Sequence, residues 1–233
     1  MSAPGRRGVV SYVQRGERMT AGQRRAWDAS WPQLGRALGP ADLPGGLDLG
    51  SWFGRHAPLV LEIGSGMGES TATLAAAAPH VNYLAVEVYK PGLAQLLMRA
   101  GALGLTNLRL LRADAVVLLG SVLAPASLSA IRVFFPDPWP KQRHHKRRLV
   151  NPGFVELAAS RLRPGGSLHL ATDWVNYAEQ MMACCAAEPA LANPYRAQPG
   201  GWAPRPVWRP VTKFERRARD EGRTVRDLIF RRV

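Results

Sequence analysis

The chain holds only two cysteines in 233 residues, Cys184 and Cys185, and they are sequence neighbours. Adjacent thiols suit neither a disulfide framework nor metal-ligand spacing, so the pair reads as small hydrophobes of a reducing compartment and no metal is expected. No stretch approaches the roughly 20 apolar residues of a membrane span. Met1 to Val13 has no apolar run and no small-residue cleavage site, which argues against a secretory leader. The expectation is a cytoplasmic protein with no membrane partner. Acids are scarce as well: 17 Asp and Glu against 31 Lys and Arg give a formal charge of +14. That imbalance points away from basic or cationic partners and towards a polyanion.

The excess is clustered. Residues 1 to 36 sum to +5, residues 141 to 148 hold five cations and no acid, residues 196 to 233 sum to +7, and the rest sums to −3. A nearly neutral body with three basic segments is expected if those segments converge on phosphates. The length suits one large domain. The Gly/Pro-rich stretch Gly39 to Gly50 divides the chain into a basic N-terminal arm and linker (1–50) and a main domain (51–233). No obligate protein partner is evident, and a monomer or homodimer is expected.

From Pro58 onward short apolar runs alternate with helical patterns, the signature of an α/β fold with a mostly parallel sheet and helices on both faces. Strands are expected at 59–63, 81–88, 108–112, 130–135 and 167–172, and helices at 69–78, 91–103, 149–162 and 174–187. Thr212 to Glu221 reads as a helix with a capping box at Thr212 and Glu215 and Gly222 as its stop, before a final strand at 224–231. In the arm, Thr20 and Gln23 cap a short helix ahead of Trp27 and Trp31.

The first unit reads LVLEIGSGMGES. Gly64, Gly66 and Gly68 follow a strand and precede a helix, where glycine lets a cofactor approach the backbone. The spacing is one residue short of the dinucleotide fingerprint. Glu62 before the loop, Glu87 at the end of the second strand and Asp114 after the third place carboxylates on one sheet edge, suited to ribose hydroxyls, an adenine amine and a cationic ligand group. Each also has a structural reading: Asp114 as a helix cap, Glu62 as an anchor for the loop's amides.

The stretch IRVFFPDPWPKQRHHKRR runs from a strand into a loop stiffened by Pro136, Pro138 and Pro140, and then into five cations in eight residues. Such loops at strand ends carry the sites of α/β enzymes. Trp139 admits two readings, a stacking platform for a base or a local packing plug. Asp173 is either an N-cap or an acceptor for a base edge.

The combination LEIGSGMG, VEVYKPG, FFPDPWPKQRHHKRRLVNP, ATDW and PVTKFERRARDEG, with SYVQRGERMTAGQRRAWD ahead of it, resembles the bacterial tRNA (guanine-N7)-methyltransferase family. The resemblance covers most of the chain. It implies a Rossmann-like class I methyltransferase fold with a C-terminal antiparallel strand. It also implies S-adenosylmethionine as cofactor, tRNA as partner, and methylation of N7 of the variable-loop guanosine at tRNA position 46. It further implies that Glu62, Gly64, Gly66, Gly68, Glu87, Asp114, Ala115 and Asp137 line the donor site, with Asp137 catalytic. Lys141, Asp173, Thr212, Lys213, Phe214 and Glu215 would meet substrate, and Arg143, His144, His145, Lys146, Arg147 and Arg148 would touch RNA. Two positions depart from the family pattern: Ser65 where an aromatic is usual, and Tyr89 where a histidine is.

Rival readings are a nucleotide-cofactor dehydrogenase, a methyltransferase acting on another RNA, a protein or a small molecule, and a non-catalytic RNA-binding module. The first wants the longer glycine spacing. The last leaves four strand-end carboxylates without a purpose beside phosphate.

Overall fold

The computed structural model describes residues 11–12, 16–38 and 47–233. Helix α1 (Ala21–Leu34) starts on a reciprocal cap: Thr20 Oγ1 accepts from Gln23 N at 3.2 Å, and Gln23 Oε1 accepts from Thr20 N at 3.0 Å. It gives way to β1 (Gly35–Ala37), and a short α2 (Leu49–Phe53) leads into β2 (Leu59–Ile63). The chain then alternates through α3 (Glu69–Ala77), β3 (Asn82–Val86), α4 (Lys90–Ala102), β4 (Leu108–Arg112), a short α5 (Ala115–Val117) and β5 (Leu128–Phe134). It continues through α6 (Pro152–Arg161), β6 (Leu162–Thr172), α7 (Val175–Ala186), β7 (Leu191–Ala192), α8 (Lys213–Asp220) and β8 (Arg226–Arg232).

The sheet order is β1-β4-β3-β2-β5-β6-β8-β7. Neighbours from β1 to β6 run parallel, whereas β8 is antiparallel to both β6 and β7. Every position of β2 and β3 is buried, as a parallel sheet covered on both faces requires. On one face Leu61, Ile63, Val86 and Val133 meet Phe154, Val155 and Met181; on the other Val60, Tyr83, Ala85 and Leu108 meet Leu93, Leu96 and Leu97. β2 pairs with β3 on one side and with β5 on the other, so the strand order reverses there and a crevice opens at the carboxyl ends.

A polar row crosses the apolar sheet. Glu62, Arg132 and His169 are register partners on three adjacent strands. The Arg132 guanidinium lies 5.6 Å from the Tyr83 ring and 4.5 Å from the Trp208 ring, and His169 Nε2 is 2.7 Å from Asp227 Oδ1 on β8.

The arm and β6 depart from expectation. The basic arm is part of the body over 21–37: β1 pairs with β4, and Trp27 and Trp31 stack at 4.0 Å and pack on the core beside α4. Gln23 Nε2 donates to Pro91 O at 3.3 Å. Residues 39–46 of the linker lie outside the described residues. β6 starts at Leu162, five residues early, because Leu162 pairs with Leu128 before the register breaks ahead of Ala130 and Ser167. The R-P-G-G stretch between the expected helix and strand is pressed against β5. A Cβ on Gly166 would stand 3.2 Å from Leu128 O.

Candidate functional site

A cavity occupies the switch-point crevice, lined by the glycine loop after β2, the carboxyl ends of β3, β4 and β5, and Phe214 of α8. Gly64, Gly66 and Gly68 all have positive φ, at 75°, 55° and 72°. Their surroundings differ. A Cβ on Gly64 would meet nothing within 4 Å, and one on Gly66 only Gly64 O at 4.0 Å, so open cavity lies over both. Gly68 instead opens α3, and a Cβ there would collide with Leu96 at 2.5 Å. The first two glycines clear space for a ligand and the third serves packing.

The carboxylates divide in the same way. Glu87 Oε2 accepts from Gly66 N at 2.8 Å, and its Oε1 accepts from Val88 N at 2.8 Å and Tyr89 N at 3.0 Å, so it ties two loops together at the cavity wall. Asp114 lines the cavity while its Oδ1 caps α5 through Val116 N at 2.8 Å. Ala115 lines the cavity beside it. Glu62 lies beneath the loop, 4 % exposed, and its Oε2 has no partner among the described residues. The anchoring of loop amides considered for Glu62 is performed by Glu87. Burial pushes the Glu62 carboxyl up to about 7, against the opposing pull of Arg132 and Thr71.

The proline loop closes the far wall. Phe135 N donates to Ala171 O at 2.8 Å, and Phe135 and Trp139 hold φ of 53° and 45°, a conformation that costs roughly 1–3 kcal/mol per non-glycine residue. Asp137 lines the cavity between them. The Phe135 ring stacks on Phe214 at 6.2 Å with 20° between planes, bringing α8 over the cavity. Trp139 is engaged locally: its Nε1 donates to Ser11 O at 3.2 Å, His144 meets its ring edge-on, and Arg147 lies 4.9 Å from its centroid.

Several residues expected to face substrate are occupied within the protein. Glu215 is 1 % exposed and accepts from Arg209 at 2.7 Å, Arg205 at 2.6 Å and Arg219 at 2.6 Å. Burial opposes its charge, but those guanidinium bonds win and hold its carboxyl below the ordinary value. Thr212 Oγ1 caps α8 through Glu215 N at 3.4 Å, half of the expected capping box, because the Glu215 side chain turns inward to Arg209. Asp173 caps nothing: α7 starts at Val175, with Trp174 as its N-cap and no side-chain cap, and the Asp173 carboxylate accepts from Arg223 at 2.8 Å. Lys213 is exposed, with Nζ 5.1 Å from the Phe214 ring. In the basic run Lys141, Arg143 and Lys146 are exposed and His144, His145 and Arg147 half-buried. Arg148 is not on the surface; it is 2 % exposed.

A family model described as "Putative methyltransferase" matches residues 56–228. The tRNA (guanine-N(7)-)-methyltransferase of Streptomyces avermitilis is 51 % identical over 229 residues, 97 % of this chain and 76 % of that one. The enzyme of the same name from Chromohalobacter salexigens is 47 % identical over 233 residues, 99 % of this chain and 93 % of that one. The chain belongs to the tRNA (guanine-N7)-methyltransferase family. Among solved structures, TrmN from Thermus thermophilus superposes with a TM-score of 0.52 at 20 % identity, over 76 % of this chain and 44 % of that one. The 16S rRNA methyltransferase KamB gives 0.52 at 18 % identity, over 76 % and 89 %. These likenesses establish a Rossmann-like class I methyltransferase fold.

For this family member, sequence reasoning missed the buried network beneath α8. Arg209, fully buried, joins Glu215 to Asp227 at 2.9 Å, and Asp227 in turn holds His169. Nothing in the spacing of W-R-P marks Arg209, since its partners lie 6 and 18 residues downstream. Ser11 and Tyr12 also line the cavity. No group of three or more His, Cys, Asp or Glu among the described residues could hold a metal. No helix among them is long and apolar enough to cross a membrane.

Proposed function

We infer that this chain transfers a methyl group from S-adenosylmethionine to N7 of a guanosine in tRNA, the variable-loop guanosine at position 46. The observation that carries the reading is one cavity in which a glycine cradle, Glu87, Asp114 and Asp137 meet below Phe214, in a chain half identical to named tRNA (guanine-N(7)-)-methyltransferases. The donor fits the residues present: open space over Gly64 and Gly66 admits a ligand against the backbone, and Glu87 and Asp114 offer acceptors to ribose hydroxyls and an adenine amine. When bound, S-adenosylmethionine supplies an electrophilic methyl group.

The protein's own task is placement. Guanine N7 carries an in-plane lone pair and no proton, so the reaction needs no strong base, and orientation alone can account for roughly 7 to 11 kcal/mol of barrier. Asp137 orients the guanine edge and offsets the positive charge that develops on the methylated ring. Lys213 and Phe214 sit at the mouth, while Lys141, Arg143, His144, His145, Lys146 and Arg147 hold phosphates. The methyltransferase domain takes in residues 51–233 together with α1 and β1 of the arm, which join its core and sheet, and a tRNA substrate implies a cytoplasmic enzyme. Unmodified tRNA incubated with the chain and isotopically labelled donor, then digested to nucleosides for mass spectrometry, should yield labelled 7-methylguanosine. Label on another nucleoside, or none, would refute the assignment.

A further inference from the structure

The last cation of the basic run points inward. Arg148 Nε donates to Pro138 O at 2.9 Å, one Nη to Gln180 Oε1 at 2.8 Å and the other to Asn176 Oδ1 at 2.7 Å. The same second Nη lies 3.1 Å from His145 Nε2. The guanidinium covers the Tyr177 ring at 4.7 Å, and that ring is itself fixed, fully buried, with its hydroxyl accepting from Val150 N at 3.0 Å. All the oxygens it reaches are neutral, and no carboxylate among the described residues pairs with it.

We propose that Arg148 is a positioning residue for Asp137, bracing the proline loop against α7, and not an RNA contact. The loop needs an external brace. Pro136, Pro138 and Pro140 have no N–H to donate, and Phe135 and Trp139 sit at positive φ, a strained conformation on either side of Asp137 that persists only where the surroundings fix it. Arg148 grips the one carbonyl, that of Pro138, directly after Asp137, and its planar fork spreads the load to two side chains of a core helix. Lysine cannot copy that fork. To reach a phosphate, Arg148 would have to abandon all of these partners. The run therefore divides: Lys141, Arg143 and Lys146 face solvent, Arg147 lies on Trp139, and Arg148 links this surface to the reacting edge.

The inference rests on the methyl-transfer reading, and two variants test it beside the unmodified chain: Arg148→Lys, and the pair Asn176→Ala with Gln180→Ala, which removes the anchors without touching any cation. Single-turnover methylation at saturating tRNA and donor should fall on the order of 10²-fold for Arg148→Lys and about tenfold for the pair. tRNA affinity should stay within about twofold with an unchanged salt slope. Calorimetric titration with donor should still count one site per chain, so that lost rate is not lost protein. If Arg148→Lys instead weakens tRNA binding and flattens the salt slope while the saturated rate survives, Arg148 is an RNA contact and the proposal is wrong. If Arg148→Lys does not fold, the pair decides: an unchanged rate overturns the brace, a reduced rate with intact tRNA affinity supports it. An unmodified chain that methylates nothing brings down the functional reading and this inference together, whereas an active chain with equally active variants brings down only the latter.

Discussion

At the scale of single residues, Glu62 makes stability depend on pH in a defined direction. Its carboxyl titrates near 7 in the folded chain and near the ordinary 4.5 when unfolded. Between these values the folded state keeps a proton that the unfolded state has released, so unfolding free energy falls as pH rises from 4.5 to 7 and levels off above. The cost reaches on the order of 3 kcal/mol. Glu62→Gln should lack this slope and be the more stable protein at pH 8, a difference that urea melts across the range will show or fail to show. Glu87 carries a different weight, because it accepts three loop amides. Glu87→Ala should cost roughly 1.5 to 3 kcal/mol of donor binding, and unchanged calorimetric affinity in the folded variant would remove Glu87 from the donor site. Asp137→Asn keeps shape and removes charge. It should slow single-turnover methylation while tRNA affinity stays within a few fold, and a parallel loss of both would make Asp137 a binding residue.

At the scale of elements, α8 is held from below. Arg209, Glu215 and Asp227 form a buried ion network, and removing one partner of such a set leaves a buried charge uncompensated at about 3 to 5 kcal/mol. Arg209→Met should therefore destabilise by that order and also loosen Phe214 over the cavity. Equilibrium unfolding checks the first, and weaker saturable tRNA binding the second. The sequence could announce the helix but not its anchorage. The capping box at Thr212 and Glu215 and the stop at Gly222 placed α8 within a residue of its observed bounds. Glu215, however, sits among arginines and reads as a solvent-facing cap, and its burial is decided by Arg209 across a proline-flanked bend. The same limit hid Arg148, whose neighbours in the chain are surface cations and whose partners Asn176 and Gln180 come from another helix. β1 escaped notice because three residues, Gly-Arg-Ala, carry no periodic signal. β2 and β4 were legible to the residue, since short apolar runs between turn signals are what a doubly covered parallel sheet demands.

At the scale of the whole molecule, the charge clusters decide how tRNA is held. Lys146→Ala with Arg147→Ala, leaving the buried Arg148 in place, removes up to two phosphate contacts. The plot of log affinity against log salt should flatten by at most about 1.8 units on duplex contacts, with the rate at saturation largely kept. A slope equal to that of the unmodified chain would move the RNA footprint to α1 or α8. The polar row through Glu62, Arg132 and His169 acts on the same scale, though on a different property. Side chains alternate between sheet faces, so sliding β5 by one residue against its neighbours would turn Arg132 into the apolar layer packed on α6 and α7. Three ionisable groups in register thus penalise every shifted alignment more heavily than apolar residues would, at a cost that Glu62 already shows as a carboxyl held near 7. Replacing the row with valines should give a sheet that tolerates more than one alignment, so these buried groups act as a key to the register of the strands.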